Sequence, residues 1–323
     1  MRGLAEKPQM VKDATAAKKG MFWLLEILVF VVVLIVSNVA MLLIQLPVTL
    51  AMLFSDRGFV KAVVDGDRMA TYLIGAKIAS SDICMLTMLG SEILMIVVVC
   101  LFCKLLQKRK MSTLGFCKKG MVKEYLIGAL AGFVVFSVAL WGAVALGALD
   151  MPFFSFNFSV GLFLLYLVGF MIQGMAEEVL CRSYFMVSVA RRYPLWLAVV
   201  LNATVFALLH LGNGGLSVLS IINLILFGIF ASFYFVRRGN IWGIGAFHSV
   251  WNWIQGCFYG VRVSGMDMSN SLFTTHTGRS ADWLSGGDFG LEGSIFVTIV
   301  FVIGIVILYR MKPAEQVTVN GEA

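Results

Sequence analysis

Long apolar runs are the feature that most constrains what this chain can fold into. A helix needs roughly 20 consecutive apolar residues to cross a bilayer. Eight such runs occur, at 21–53, 78–103, 122–149, 160–190, 194–211, 216–236, 241–261 and 293–311. Only 13% of the residues are charged, about half the share of a soluble domain. Because backbone in lipid must satisfy its own hydrogen bonds, we predict an all-α, polytopic membrane helical bundle of about eight transmembrane helices.

The basic residues predict how these helices are oriented. Lys and Arg are concentrated in every second connector, at 104–123, 191–192, 237–238 and 310–312. The connectors between them, at 55–71, 212–215 and 262–292, lack that excess. Positive connectors stay in the cytoplasm, so we expect both termini to be cytoplasmic. The formal charge of +7 is thereby explained by topology, and no nucleic-acid partner is expected.

The same pattern suggests a division of the chain. We expect a polar cytoplasmic tail at 1–20 and N-terminal transmembrane helices at 21–158. A transmembrane core with an outer capping loop at about 262–292 is expected at 159–311, and a C-terminal tail at 312–323. The first apolar run exceeds the 7–15 residues of a signal-peptide core, so it is predicted to be a span, with Pro47 kinking or ending it. The expected location is the cell membrane, as a multi-pass protein.

Small residues in the runs indicate how the helices pack. Gly128 and Gly132 form a GxxxG pattern, which is typical of a close helix contact. Cys100 and Cys103 form a CxxC without a second one, and all six cysteines lie within or beside apolar runs. We therefore interpret the cysteines as small apolar packing residues.

Charged residues inside a span are functional candidates because their burial in lipid is costly. The fourth run contains Glu177, Glu178 and Arg182. Glu178 and Arg182 are four residues apart and can form an ion pair along a helix. Glu177 points about 100° away, and we find no partner for it at that spacing.

Two further runs carry histidine at helical spacing. Phe206 and His210 are four apart in one run, and His248 and Asn252 are four apart in another. A carboxylate can take a proton from water, while histidine and asparagine can stabilise an oxyanion. Glu177, His210, His248 and Asn252 could therefore hydrolyse an amide. Glu177, His210 and His248 could instead hold zinc with one open position.

Other readings of these buried residues remain open at this point. The chain contains no HExxH, GxSG or GxGD motif, which disfavours three other kinds of intramembrane protease. A non-catalytic membrane protein, such as an immunity factor or scaffold, could use the polar cluster to hold its helices together. A proton-coupled transporter could use the same carboxylates, although it would be expected to show internal repeats, which we do not find.

The three motifs resemble those of the CPBP family, which contains the CAAX prenyl endopeptidases and the bacterial abortive-infection and immunity proteins. The family pattern EExxxR, FxxxH and HxxxN matches Glu177-Glu178…Arg182, Phe206…His210 and His248…Asn252. The bacterial branch is the better match.

This resemblance implies an intramembrane endopeptidase that cleaves membrane-associated peptides or proteins within the lipid bilayer. Glu177 and His210 would activate water, and His248 and Asn252 would form the oxyanion hole. Glu178, Arg182 and Phe206 would support them. It favours a mechanism without a cofactor, with zinc as the alternative.

Overall fold

The structure is a computed structural model that describes residues 7–278 and 280–312. Its helices are α1 (Gln9–Ala17), α2 (Trp23–Ser55), α3 (Arg57–Val64), α4 (Arg68–Ala79), α5 (Asp82–Ser91), α6 (Ile93–Leu105), α7 (Met121–Ala145), α8 (Val160–Glu178), α9 (Val187–Ala190), α10 (Leu195–Leu209), α11 (Val218–Arg238), α12 (Trp242–Trp253), α13 (Asp282–Ser285) and α14 (Ile295–Arg310). π-Helical segments follow α8 and α12, at Val179–Met186 and Ile254–Phe258. Short 3₁₀ turns lie at Met111–Leu114, Gly287–Phe289 and Leu291–Gly293. Two strands of two residues each, β1 (Phe153–Phe154) and β2 (Phe273–Thr274), pair antiparallel. The predicted all-α class is confirmed.

Five helical stretches are long and apolar enough to cross a bilayer: Trp23–Ser55, Asp82–Leu105, Met121–Ala145, Val160–Ala190 and Val218–Arg238. Three other predicted spans correspond to shorter helices, α10, α12 and α14. The 15 residues of α10 measure about 22 Å, less than the ~30 Å thickness of the hydrocarbon core. The chain is a multi-pass membrane bundle. The number of eight spans, the side of the termini and the division into segments stay predictions, and 1–6 and 313–323 of the predicted tails lie outside the described residues.

Helix α2 differs from the sequence-based expectation at Pro47. The helix does not end there but continues to Ser55, over 33 residues in all. Proline removes one backbone hydrogen bond. Ending the helix would leave several backbone groups without partners in lipid, which is a larger cost.

The connector predicted at 55–71 is also more ordered than expected, since it forms α3 and the start of α4. Asp56 caps α3 by accepting a hydrogen bond from the backbone N–H of Phe59 at 2.8 Å. Asp67 caps α4 by accepting one from the N–H of Ala70 at 3.0 Å. Aspartate is a good N-cap residue. Its position before each of these short apolar stretches indicates the start of a helix, which hydropathy alone does not detect.

Helix α12 is packed between α7 and α8 through glycine contacts. A Cβ atom on Gly128 would lie 1.9 Å from the carbonyl oxygen of Gly243, and one on Gly132 would lie 2.5 Å from that of Phe247. On the other side, a Cβ on Gly174 of α8 would lie 2.5 Å from the backbone nitrogen of Ser249. The predicted GxxxG contact face is therefore confirmed, with α12 as its partner.

The connectors meet at two opposite ends of the bundle. At one end, β1 and β2 join the segment after α7 to the outer loop after α12. At the other, Arg191 donates a hydrogen bond to the carbonyl of Lys18 at 3.1 Å, and Arg238 forms an ion pair with Glu124. The basic connectors thus lie together, as their charge pattern predicted. All six cysteines are free thiols.

Candidate active site

A cavity of about 380 Å³ lies inside the bundle, and Glu177, His210, His248 and Asn252 all line it. Its walls come from α2, α5, α6, α8, α10, α11, α12 and α14, and Val263, Ser264 and Met266 of the outer loop close one side. His210 caps the C-terminal end of α10 and His248 lies within α12, and both line the same cavity. The residues that were expected to converge therefore share one space.

Glu177 is held by a neighbour that the sequence analysis missed. Gln173, one helical turn earlier on α8, donates a hydrogen bond from Nε2 to Oε1 of Glu177 at 2.5 Å. The expectation that Glu177 has no partner at helical spacing is therefore wrong. The Oε1 atom of Gln173 accepts a hydrogen bond from Nδ2 of Asn252 at 2.9 Å. One amide thus connects the two residues across α8 and α12.

Glu178 is fully buried and joins two other motif residues. It forms the predicted ion pair with Arg182 at 2.8 Å, which is confirmed. The same carboxyl oxygen accepts a hydrogen bond from Nδ1 of His248 at 2.9 Å. A carboxylate that accepts from one ring nitrogen fixes the orientation of the imidazole, so Nε2 of His248 is directed towards Glu177, 3.8 Å from its Oε2.

Phe206 lies beside a polar side chain of each of the three motifs, namely Arg182, His210 and His248. Its ring lies 4.5 Å from Cζ of Arg182 and 4.7 Å from the centre of the His210 ring. A second ring, Phe227, lies 5.3 Å from the same guanidinium. Aromatic faces attract cations, which helps to offset the burial of Arg182, whose Nε and Nη2 atoms have no hydrogen-bond partner in the described part of the chain.

The tautomer of His210 follows from its backbone contact. Its Nδ1 lies 2.8 Å from the carbonyl oxygen of Phe206, and a carbonyl can only accept, so Nδ1 carries the proton. Nε2 of the neutral ring is then free to accept a hydrogen bond. Between the side chains of Glu177 and His210 we find no direct hydrogen bond among residues 7–278 and 280–312.

Both π-helical segments begin directly after motif residues. Val179–Met186 follows the glutamate pair and contains Arg182, and Ile254–Phe258 begins two residues after Asn252. π-Helical turns are rare and are found often at functional sites. Neither was predicted, because hydropathy does not distinguish π from α geometry.

The zinc alternative can be tested against the arrangement of the possible ligands. A zinc site needs three or more ligand atoms about 2.0–2.3 Å from one point. Within the described residues, no three His, Cys, Asp or Glu side chains are arranged in this way. Glu177, His210 and His248 therefore do not fit a zinc site as they stand.

Two further carboxylates line the cavity that the sequence analysis did not single out. Glu92 lies between α5 and α6, and Glu292 lies before α14. Glu92 lies within the apolar run at 78–103, and a charged residue in such a run is the sequence signal that could have identified it. Glu292 accepts hydrogen bonds from Nε1 of Trp251 at 3.2 Å and from the backbone N–H of Ser264 at 2.8 Å, a tertiary arrangement that no sequence spacing encodes.

Comparison with known proteins gives one match. The family model described as type II CAAX prenyl endopeptidase Rce1-like matches residues 159–254, a segment that contains all three motifs. No curated protein and no solved structure matches the chain. The family supports an intramembrane protease function in general, with peptide substrates in a lipid bilayer. Over residues 159–254, the chain is therefore similar to the CPBP/CAAX protease family.

Proposed function

We propose that this protein is an endopeptidase that hydrolyses peptide bonds of membrane-associated peptides or proteins with a water activated by Glu177. The observation that carries the proposal is the environment of this carboxylate. Its side chain is 24% exposed, whereas Glu178 is fully buried, and the exposed part faces the cavity. One of its oxygens is held by Gln173 and the other lies near His248, so Glu177 is oriented but still accessible to a water.

In this mechanism Glu177 takes a proton from water while the water oxygen attacks the carbonyl carbon of the peptide. The free Nε2 of His210 accepts a hydrogen bond from the same water and orients it. When the tetrahedral intermediate collapses, the carbon–nitrogen bond breaks and Glu177 returns the proton to the leaving amine. The carboxylate therefore ends the cycle as it began, without a metal.

His248 and Asn252 stabilise the oxyanion of the intermediate. Asn252 uses one Nδ2 hydrogen for Gln173 and keeps the second for the substrate. Nε2 of His248 donates to the oxyanion when the ring carries a proton on both nitrogens. Loss of one such donor typically slows catalysis by about 10²–10³-fold.

The direct test is the substitution Glu177→Gln, which keeps the shape of the side chain and removes its basicity. New peptide termini would be compared by mass spectrometry in membranes of cells that produce the wild-type protein, Glu177→Gln or Asp65→Asn. Asp65 is an exposed acid outside the cavity, so its variant controls for loss of a charge. We expect termini that appear with the wild type and Asp65→Asn and disappear with Glu177→Gln.

Two results would contradict this proposal. Unchanged cleavage by a folded Glu177→Gln protein would exclude Glu177 as the base. Loss of cleavage on chelation that zinc restores would replace the metal-free mechanism with a metal-dependent one, whereas we expect chelators to have no effect.

A further inference from the structure

Glu92 is a buried carboxylate that the proposed mechanism does not use. It interrupts the helix between α5 and α6, retains only 9% of its exposure and lines the cavity that contains Glu177. Its Oε2 atom has no hydrogen-bond partner among the described residues.

Acidic side chains outnumber Lys and Arg in the cavity wall, which also contains His210 and His248. Three carboxylates face it, from Glu92, Glu177 and Glu292, and within residues 7–278 and 280–312 no Lys or Arg side chain lines it. Glu292 is satisfied by Trp251 and Ser264, and Glu177 accepts from Gln173. Glu92 is the one of the three with a buried, unpartnered oxygen.

A buried carboxylate without a partner is costly, and a cation nearby removes much of that cost. The cavity wall around this position is apolar and flexible, with Met88, Met95 and Met41 among its residues. Methionine adapts its shape to a guest, and the methylene groups of a lysine or arginine can lie along such a surface while the charged end reaches a carboxylate. The wall and the carboxylate together match a long cationic side chain.

We propose that Glu92 is a specificity-determining residue that binds a positively charged group of the substrate, a Lys or Arg side chain within a few residues of the scissile bond. This inference rests on the proposed peptidase function. It assigns the substrate class as cationic peptide segments, and it implies that acidic side chains and free carboxylates near the bond are rejected by repulsion from Glu92, Glu177 and Glu292.

The first test uses the intact wild-type protein in liposomes and a library of proteome-derived peptides. Cleaved peptides would be identified by mass spectrometry, with Glu177→Gln as background. We expect Lys and Arg to be enriched at one fixed position near the cleaved bond, and Asp and Glu to be depleted there. Glu177-dependent cleavage without this enrichment overturns the inference alone, and absence of Glu177-dependent cleavage overturns the proposed function and the inference with it.

The second test compares matched peptides and a matched variant. The best library sequence would be made with Lys, uncharged norleucine or Glu at the enriched position. We expect wild type to cleave the Lys peptide at least about tenfold faster than the norleucine peptide, because the norleucine peptide leaves Glu92 buried without a charged partner. Glu92→Gln should remove this preference by slowing cleavage of the Lys peptide relative to the norleucine peptide, while Asp65→Asn should keep it.

Equal slowing of all three peptides by Glu92→Gln would make Glu92 a general structural or catalytic group and overturn the specificity role. Thermal melting in detergent would show whether the variant is folded. If it is not, the wild-type comparison decides by itself: equal rates for the Lys and norleucine peptides overturn the inference, and a Lys preference upholds it.

Discussion

Gln173 is the residue on which the geometry of the two halves of the site depends. Its amide donates to Glu177 and accepts from Asn252, at 2.5 and 2.9 Å. If the amide were reversed, Oε1 of Gln173 would face the carboxylate of Glu177. Both groups can only accept hydrogen bonds, so the pair would have no donor. The proposed base on α8 and the proposed oxyanion donor on α12 are therefore connected through a neutral side chain that lies between them.

We expect Gln173→Met to lower kcat by about 10- to 100-fold with little change in KM, since a hydrogen bond to a charged group contributes roughly 1.5–3 kcal/mol. Steady-state kinetics on a cleaved peptide would measure both constants. Gln45→Met is the control, because Gln45 donates to Ser91 in another part of the membrane region. A parallel loss of melting temperature and activity would instead indicate that Gln173 acts only in folding.

At the scale of the helices, α12 determines where His248 and Asn252 lie. Glycines allow α7 to contact its backbone on one side, at Gly128 and Gly132, and α8 on the other, at Gly174. A side chain at any of these positions would push α12 away from a neighbour. Since His248 directly follows Phe247, which Gly132 contacts, such a shift would move the imidazole.

We expect Gly132→Ala to destabilise the folded protein by about 1–3 kcal/mol, the usual cost of overpacking, and to reduce cleavage by displacing His248. Gly90→Ala is a matched control in another span, because a Cβ there meets nothing within 4 Å, and alanine is the better helix former. Detergent melting and peptide cleavage would be measured for both. An unaltered Gly132→Ala protein would show that α7 and α12 are not in close contact.

The whole molecule has one basic end and one end formed by the outer loop. Residues 104–123 and the start of α12 lie together through Trp242, whose Nε1 donates to the carbonyl of Cys117 at 2.8 Å. The outer loop pairs with the segment after α7 through β1 and β2. From the positive-inside rule we expect the first of these ends to face the cytoplasm.

We expect a cysteine at Asp65 to react with a membrane-impermeant thiol reagent in intact cells, and a cysteine at Lys119 to react only after permeabilisation. Both positions are exposed, and the six native cysteines would first be replaced. Gel-shift labelling would read out the result. Labelling of Lys119→Cys in intact cells would reverse the predicted orientation.

Sequence patterns predicted the features that depend on local spacing and missed those that depend on packing. Hydropathy located the apolar helices, and i, i+4 spacing identified the Glu178–Arg182 pair. Gln173 stands at that same spacing from Glu177, but an uncharged amide did not stand out against charged neighbours. The contact between His248 and Glu178 requires α8 and α12 to approach at Gly174. The position of Glu92 in the same cavity as Glu177 requires α5 and α6 to pack on α8. Neither packing arrangement can be read from the pattern of a single helix.

The packing of α12 between α7 and α8 has a consequence for the order in which the proposed active site is assembled during synthesis. The chain is synthesised from its N-terminus, so both partners of α12, and with them Glu177, enter the membrane before the helix that carries His248 and Asn252. During that interval α10 adds His210, but the glycines of α7 and α8 have nothing to pack against. If the proposed function is correct, a growing chain would therefore not cleave its neighbours in the membrane, and activity would begin only when α12 docks and completes the site.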